Sequence, residues 1–134
     1  MKISKKDFEA MKAKYDSEVK KGKPAQGKLK KDKDNQTDWV FFDKETLEEL
    51  LAKVDKDPKV GGIQFFITEY TDETARKVHP KEAAAYVGQM ALVMFPANLE
   101  GKKVVRVELD GELDEYECGG VECPYICEAE PTAS

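Results

Sequence analysis

The spacing of apolar residues along the chain predicts two amphipathic helices. Over residues 4–20, apolar side chains recur at steps of three and four, which places them on one face of a helix. Ser4 and Asp7 have the spacing of a capping box, which favours a helix start at this point. A second stripe covers residues 44–56, directly after Asp43, a residue type that is common at helix N-caps. The stripes consist of Phe8, Met11, Tyr15 and Val19 in the first helix and of Leu47, Leu50, Leu51 and Val54 in the second.

Shorter apolar runs predict strands. Residues 89–95 are apolar on both faces, so we expect this strand at the centre of a sheet. Residues 103–109 alternate, with apolar residues such as Val105 on one face and Arg106 on the other, which indicates one solvated face. The pair Asp110-Gly111 is a hairpin signal, although neither possible register matches the side chains of the two strands well. The predicted strands cover residues 38–42, 63–70, 89–95, 103–109 and 112–117. A short helix is expected with Pro80 at its first position and Gly88 just past its end.

Together these elements predict a single α+β domain that covers residues 1–134. We expect a four- to five-stranded sheet, mixed or mostly antiparallel, with the two main helices packed on one face. A charged loop at residues 21–37 and an acidic, cysteine-bearing tail at residues 116–134 complete the domain. The aromatic residues of the strands are expected to fill the core rather than to stack on nucleic-acid bases. They are Trp39, Phe41, Phe42, Phe65, Phe66 and Tyr70.

The charge of the chain changes sign along its length. The formal net charge is −5, but residues 1–33 carry twelve lysines and five acidic residues, whereas residues 107–134 carry nine acidic residues and no basic one. A basic arm for an acidic partner would have this pattern. We favour the alternative, in which the two ends meet in the fold and partly neutralise each other. The negative net charge and the absence of arginine from residues 1–33 argue against nucleic-acid binding.

The sequence favours a cytoplasmic protein without a membrane partner. No segment is long and apolar enough to span a bilayer. The start MKISKKDFEA is basic but has no apolar core, so it does not match a secretory signal peptide. We therefore expect a cytoplasmic location, where thiols stay reduced, unless a leader has been removed from the chain.

The three cysteines, Cys118, Cys123 and Cys127, lie close together near the end of the chain. Structural zinc sites use closely spaced cysteines with a fourth ligand, and His79 is the only histidine that could supply one. A zinc site of these three cysteines and His79 is therefore one hypothesis. A disulfide in an exported protein is a second, and reduced structural thiols, which we favour, are a third. His79 precedes Pro80 and is expected to be a loop or helix-capping residue.

Signatures of catalysis are absent from the sequence. A cysteine–histidine nucleophile would need His79 beside one of the cysteines, and nothing in the sequence brings them together. The acidic residues lie mostly on predicted solvated helix faces and in the tail, so we expect no carboxylate pair in an apolar setting that would separate two pKa values. The glycines follow no phosphate-binding pattern. We therefore expect no enzymatic activity and no bound cofactor.

Four segments in order resemble a family of small uncharacterised bacterial proteins, mostly from the Bacteroidota. The segments are DWVFFDKETLEELL, GGIQFFITEY, YVGQMALVMFPANLEGK and CPYIC, within residues 38–127. The family shows a "WF…ELL" start, a glycine-led strand, a "TVVLVPT" strand and a "CPPxC" tail. Pro124 matches the first proline of that tail, whereas Tyr125 and Ile126 depart from it. The resemblance implies no known activity, but it implies that Cys123 and Cys127 belong to a recurring structural feature.

Three functional hypotheses follow from the sequence. The first is a small non-enzymatic binding or interaction domain with a protein partner. The second is a zinc-binding domain that uses Cys118, Cys123, Cys127 and His79. The third is an immunity- or inhibitor-like protein whose acidic end binds a basic partner, an interaction that salt would weaken.

Overall fold

Two long antiparallel strands, β3 (Gly61–Glu69) and β4 (Met90–Glu100), form the centre of an α+β fold. Their register places Phe66 opposite Val93 and Phe65 opposite Met94. Side chains of an antiparallel pair alternate between the two faces, so this register decides which residues enter the core. The computed structural model describes residues 2–107, 116–117 and 121–123, the last two segments by their backbone.

Shorter strands extend the sheet beyond β4, and all described pairs are antiparallel. β5 (Lys103–Arg106) follows β4 through a turn at Gly101 and pairs with its last residues. β6 (Tyr116–Glu117) pairs with β4 and with β1 (Lys2–Ile3) rather than with β5. The predicted hairpin between residues 103–109 and 112–117 is therefore not the pairing that the described residues form.

The pairing of β1 with β6 places part of the basic start beside a described part of the acidic segment. Lys2 lies opposite Glu117 in this register. This agrees with the interpretation that the basic start and the acidic end meet in the fold.

β2 (Trp39–Phe41) was expected in the main sheet but pairs with β7 (Val121–Cys123) in a separate two-stranded sheet.

Helix α1 (Lys5–Ser17) begins as the sequence predicts. The Ser4 side chain accepts the Asp7 N–H at 3.1 Å, and the Ser4 N–H donates back to the Asp7 carboxylate at 3.4 Å. Burial alone would raise the pKa of Asp7, but hydrogen bonds from Lys77 and Ser4 outweigh it and lower the pKa. The helix ends before the predicted residue 20, because Glu18 leaves the helical conformation and a 3-10 turn follows.

Helix α2 (Lys44–Leu51) is shorter than the predicted 44–56. It begins as expected, since the Asp43 side chain accepts the Thr46 N–H at 2.7 Å. Beyond its end, aspartate side chains bond to nearby backbone groups: Asp55 accepts the Asp57 N–H at 2.9 Å, and Asp57 accepts the Lys59 N–H at 2.9 Å. Such local bonds compete with helical ones and explain the early end of the helix.

Two short helices connect β3 to β4. α3 (Asp72–Val78), a helix that was not predicted, is capped by Thr71, whose hydroxyl accepts the Thr74 N–H at 3.1 Å. α4 (Ala83–Tyr86) begins later than predicted, so Pro80 is not its first residue. The longest described helix has thirteen residues, and none is both long and apolar enough to cross a bilayer.

The core lies between α1 and one face of the β3–β4 pair. Phe8 of α1 meets Phe66 and Phe95 edge to face, with ring centroids 5.3 Å and 5.1 Å apart. Met11 is fully buried in the same cluster. Leu50 of α2 is buried outside this cluster. The packing of both helices on one face of the sheet stays a prediction.

Several residues that were expected in the core are exposed. Phe65 is 50% exposed and Phe41 57%, because Phe65 lies on the sheet face opposite Phe66 and Phe41 belongs to the small β2–β7 sheet. Leu51 is 47% exposed, since α2 buries Leu50 instead. β5 has no buried face: all four of its residues are exposed, including Val105, which was expected on the apolar face. The Arg106 guanidinium lies over the Phe95 ring at 4.7 Å.

Gly88 lets the chain turn from α4 into β4 beside the loop that follows α1. Its φ is +85°, a left-handed conformation that favours glycine, and a Cβ at this position would lie 2.6 Å from the Gln26 carbonyl oxygen. Gly22 has a similar φ of +77°, but nothing lies within 4 Å of its Cβ position. An alanine at Gly22 would therefore introduce backbone strain alone, whereas an alanine at Gly88 would introduce strain and a steric clash.

We expect Gly88→Ala to lower the free energy of unfolding by at least about 3 kcal/mol, because strain and a backbone clash combine. Gly22→Ala, the matched control, should cost about 1 kcal/mol from strain alone. Urea denaturation followed by the fluorescence of Trp39 measures both. Equal losses in the two variants would contradict the clash at Gly88.

Candidate functional site

An ion cluster of Lys14, Glu18 and Glu69 joins the end of α1 to the end of β3; Glu69 is buried and the other two side chains are partly buried. The Lys14 Nζ donates to the two Glu18 carboxylate oxygens at 2.8 Å and 2.9 Å, and to Glu69 Oε2 at 3.3 Å. The same ammonium donates to the Gln26 carbonyl at 2.7 Å, while the Gln26 N–H donates to Glu18 Oε1 at 2.6 Å. The cluster therefore also fixes the loop after α1 against the sheet.

Glu69 is the unusual member of this ion cluster. Its side chain is 0% exposed, and its Oε1 has no hydrogen-bond partner. Burial raises the pKa of Glu69 to about 7, the neighbouring Glu18 carboxyl adds to this, and Lys14 opposes it. Near neutral pH the side chain is thus close to half protonated, which lowers the cost of leaving Oε1 without a donor.

Glu18 shifts in the opposite direction. Burial alone would raise the pKa of Glu18, but hydrogen bonds from Lys14 and from the Gln26 N–H outweigh it and lower the pKa. The fold therefore does contain a carboxylate pair with separated pKa values, and the expectation that no such pair exists was wrong. The available signal was the position of Glu69 at the end of the apolar run IQFFIT.

His79 caps α3 and contacts two buried tyrosines. Its ring stacks on Tyr86 with centroids 3.6 Å apart, and its Nε2 lies 3.2 Å from the Tyr70 hydroxyl. The backbone N–H of His79 donates to the Ala75 carbonyl at 2.8 Å, which confirms the predicted capping role. Burial lowers the pKa of His79 to about 4, so the imidazole is neutral at pH 7.

His79 is the one predicted zinc ligand whose side chain the structure describes. Cys118 and Cys127 lie outside the described residues, and Cys123 is described only by its backbone, opposite Trp39 in the β2–β7 pair. Among the described residues, no three histidine, cysteine or acidic side chains are grouped to hold a metal ion. The zinc site therefore stays a prediction.

The buried titratable groups are poorly placed for catalysis. A general acid or base must come within hydrogen-bond distance of a substrate, but Glu69 has no exposed surface and His79 is occupied by the two tyrosines. A shallow cavity of about 270 Å³ lies on the charged loop instead. Its lining residues are Gly27, Lys28, Lys31, Asp32, Lys33, Asp34 and Asn35. The contacts of the ion cluster join the end of β3 to α1, and those of His79 join α3 to Tyr70 and Tyr86.

A second candidate site is the outer edge of β3. Leu99 donates to the Val60 carbonyl and Tyr70 donates to the Gln89 carbonyl, so the even-numbered residues of this strand bond to β4. The N–H and C=O groups of Ile63, Phe65 and Ile67 consequently point away from β4. We call these three residues and their outward backbone groups the β3 edge.

In the part of the chain that the structure describes, the β3 edge has no backbone hydrogen-bond partner. β3 pairs with β4 alone, and within residues 2–107 no other backbone group bonds to the outward groups of Ile63, Phe65 and Ile67. Phe65 is 50% exposed and Ile67 47%. An open edge beside exposed apolar side chains is a template for another strand.

Comparison of the chain with protein-family models, with curated proteins and with solved structures found no match. The fold and the two candidate sites are therefore interpreted from their own chemistry.

The pKa shifts of Glu69 and His79 predict opposite effects of pH on stability. Glu69 has a folded-state pKa of about 7 against an ordinary 4.5, so the stability that it contributes is lost as the pH rises between these values. His79 has a folded-state pKa of about 4 against an ordinary 6.5, so stability is lost as the pH falls between these values. The two slopes, each at most about 1.4 kcal/mol per pH unit, oppose each other between about pH 4.5 and 6.5.

We expect Glu69→Gln to remove the loss of stability with rising pH that Glu69 causes. The free energy of unfolding of this variant should then rise with pH from about 4.5 to 6.5, because only the titration of His79 remains. His79→Gln, which keeps a polar group beside Tyr70, should show the reverse and lose stability as the pH rises. Urea denaturation at a series of pH values measures both profiles. Glu9→Gln, which changes an exposed acid of α1, is the control and should follow the wild type. If all four profiles run parallel, the proposed titrations are wrong.

Proposed function

We propose that this chain is a small non-enzymatic interaction domain that binds an extended protein segment along the β3 edge. The proposal rests mainly on a nine-residue strand that pairs on one side only among the described residues and that has two half-exposed apolar side chains, Phe65 and Ile67. In β-strand addition, main-chain hydrogen bonds supply affinity and pockets for alternate side chains supply specificity. The partner is therefore an uncharged strand with apolar residues at every second position.

The composition of β3 supports this proposal. Edge strands that must stay free are usually protected by lysine, proline, an inward-pointing charge or a bulge. Between Gly61 and Thr68 the strand contains no charged residue and no proline, and its pairing with β4 is continuous in register. Apart from Glu69, the inward-pointing acid at its last residue, β3 has none of these protective features, as expected for a strand that pairs with a partner.

The proposal extends to the location and the chemistry of the domain. We propose that the domain acts in the cytoplasm, without nucleic acid and without a catalytic step. The zinc hypothesis and the immunity- or inhibitor-like hypothesis both depend on the acidic, cysteine-bearing end, most of which lies outside the described residues. No observation in the described part of the chain favours either of them over strand binding.

Strand binding can be tested with a peptide of alternating valine and threonine that carries terminal lysines for solubility. We expect the peptide to slow hydrogen exchange at the outward amides of Ile63, Phe65 and Ile67, because these amides gain acceptors. The amide of Phe66, which already faces β4, should change little. Hydrogen-exchange mass spectrometry at low protein concentration, with fragments that resolve β3, measures the effect.

Two controls make this test specific. A peptide of the same sequence with N-methyl groups along its pairing side cannot complete the ladder and should give no protection. Ile67→Lys should abolish protection by the unmodified peptide, whereas Leu29→Lys, at a loop residue that is 80% exposed, should preserve it. Unchanged exchange in β3 at saturating peptide, or equal protection with both peptides, would refute strand binding.

A further inference from the structure

We propose that the strand that binds the β3 edge is β3 of a second copy of this chain, related by a two-fold axis at Phe65. This inference rests on the proposed function and adds the identity of the partner. The two strands would run antiparallel, and their sheets would join into one continuous sheet across the axis.

The apolar side chains of the β3 edge are symmetric about Phe65. Ile63 and Ile67 stand two residues to either side of it, and all three lie on one face of the strand. A two-fold axis at this position places Phe65 opposite Phe65 of the second copy, and Ile63 opposite Ile67 of the second copy. Aromatic and β-branched residues are favourable neighbours across strands.

The backbone has the matching symmetry. The outward groups belong to odd-numbered residues, because the even-numbered ones bond to β4. A residue on the axis and its symmetry mate can exchange both of their N–H to C=O bonds, and the same holds for the pair of Ile63 with Ile67 of the second copy. The axis at Phe65 therefore satisfies all the outward backbone groups of the β3 edge in both copies.

Charge also favours a second copy at this edge. Each chain has a formal charge of −5, so two copies must keep like charges away from their contact. Between Gly61 and Thr68 there is no charged residue, and Glu69 is turned inward to Lys14. Self-pairing of β3 thus brings no like charges opposite one another.

The proposal predicts a reversible dimer of the full chain, which sedimentation at increasing protein concentration would detect. Phe65→Lys would place two positive charges against each other on the axis, so we expect the dimer dissociation constant to rise at least tenfold. Ile67→Lys is a second disrupting variant, and Leu29→Lys is the control that should dimerise like the wild type. Circular dichroism checks that each variant is folded.

Charge reversal tests the register itself. Because Phe65 meets its own counterpart, a mixture of the Phe65→Lys and Phe65→Glu chains should form a heterodimer at concentrations where each chain alone is mostly monomeric. A chain with both Ile63→Lys and Ile67→Glu should dimerise by itself, since each introduced side chain then meets its opposite charge. A chain with Ile63→Lys and Ile67→Lys is the matched control and should stay monomeric.

The outcomes separate this inference from the proposed function. A chain that stays monomeric at every concentration, but whose β3 amides are protected by the valine–threonine peptide, would overturn the second copy and keep strand binding. A dimer that persists in Phe65→Lys and in Ile67→Lys would place the interface elsewhere and overturn the inference. Loss of both dimerisation and peptide protection in the wild type would overturn both proposals.

Discussion

The pairing of β3 with β4 is the constraint on which the rest of this structure depends. Because side chains alternate along a strand, one register sends Phe66, Val93 and Phe95 into the core beneath α1 and leaves Phe65 and Ile67 on the other face. The same register turns every second backbone group of β3 away from β4. The position of the core and the direction of the backbone groups of the β3 edge thus both follow from the pairing of β3 with β4.

The end of β3 shows how the fold tolerates polar groups beside that core. Glu69 is buried without a donor for Oε1, and the neighbouring Tyr70 contacts a neutral histidine. Burial raises the pKa of Glu69 and lowers the pKa of His79, so in each case the form with less charge is favoured. Lys14 then needs only one fully ionised carboxylate, Glu18, to balance its charge inside the ion cluster.

The sequence predicted the parts of the fold that local chemistry determines. Helix starts at Ser4 and Asp43, the burial of Phe8 and Met11, and the capping role of His79 all follow from spacing and residue type. It did not predict the exposure of Phe65, the burial of Glu69 or the separate pairing of β2, because these depend on which distant segment covers each face. The apolar run IQFFIT predicts a strand, but it does not indicate whether one or both faces of that strand are covered.

An open, uncharged edge strand is a hazard, because it can pair with any exposed strand and can propagate into fibres. Two-fold pairing at Phe65 removes this hazard, because it uses up the β3 edge of both copies. An isologous contact uses the same edge of both copies, so neither copy keeps a free β3 edge for a third chain. The pairing order of the main sheet ends at β1, which has only two residues and offers little template for growth. A strand without lysine or proline is therefore compatible with a finite assembly, provided that its partner is its own copy.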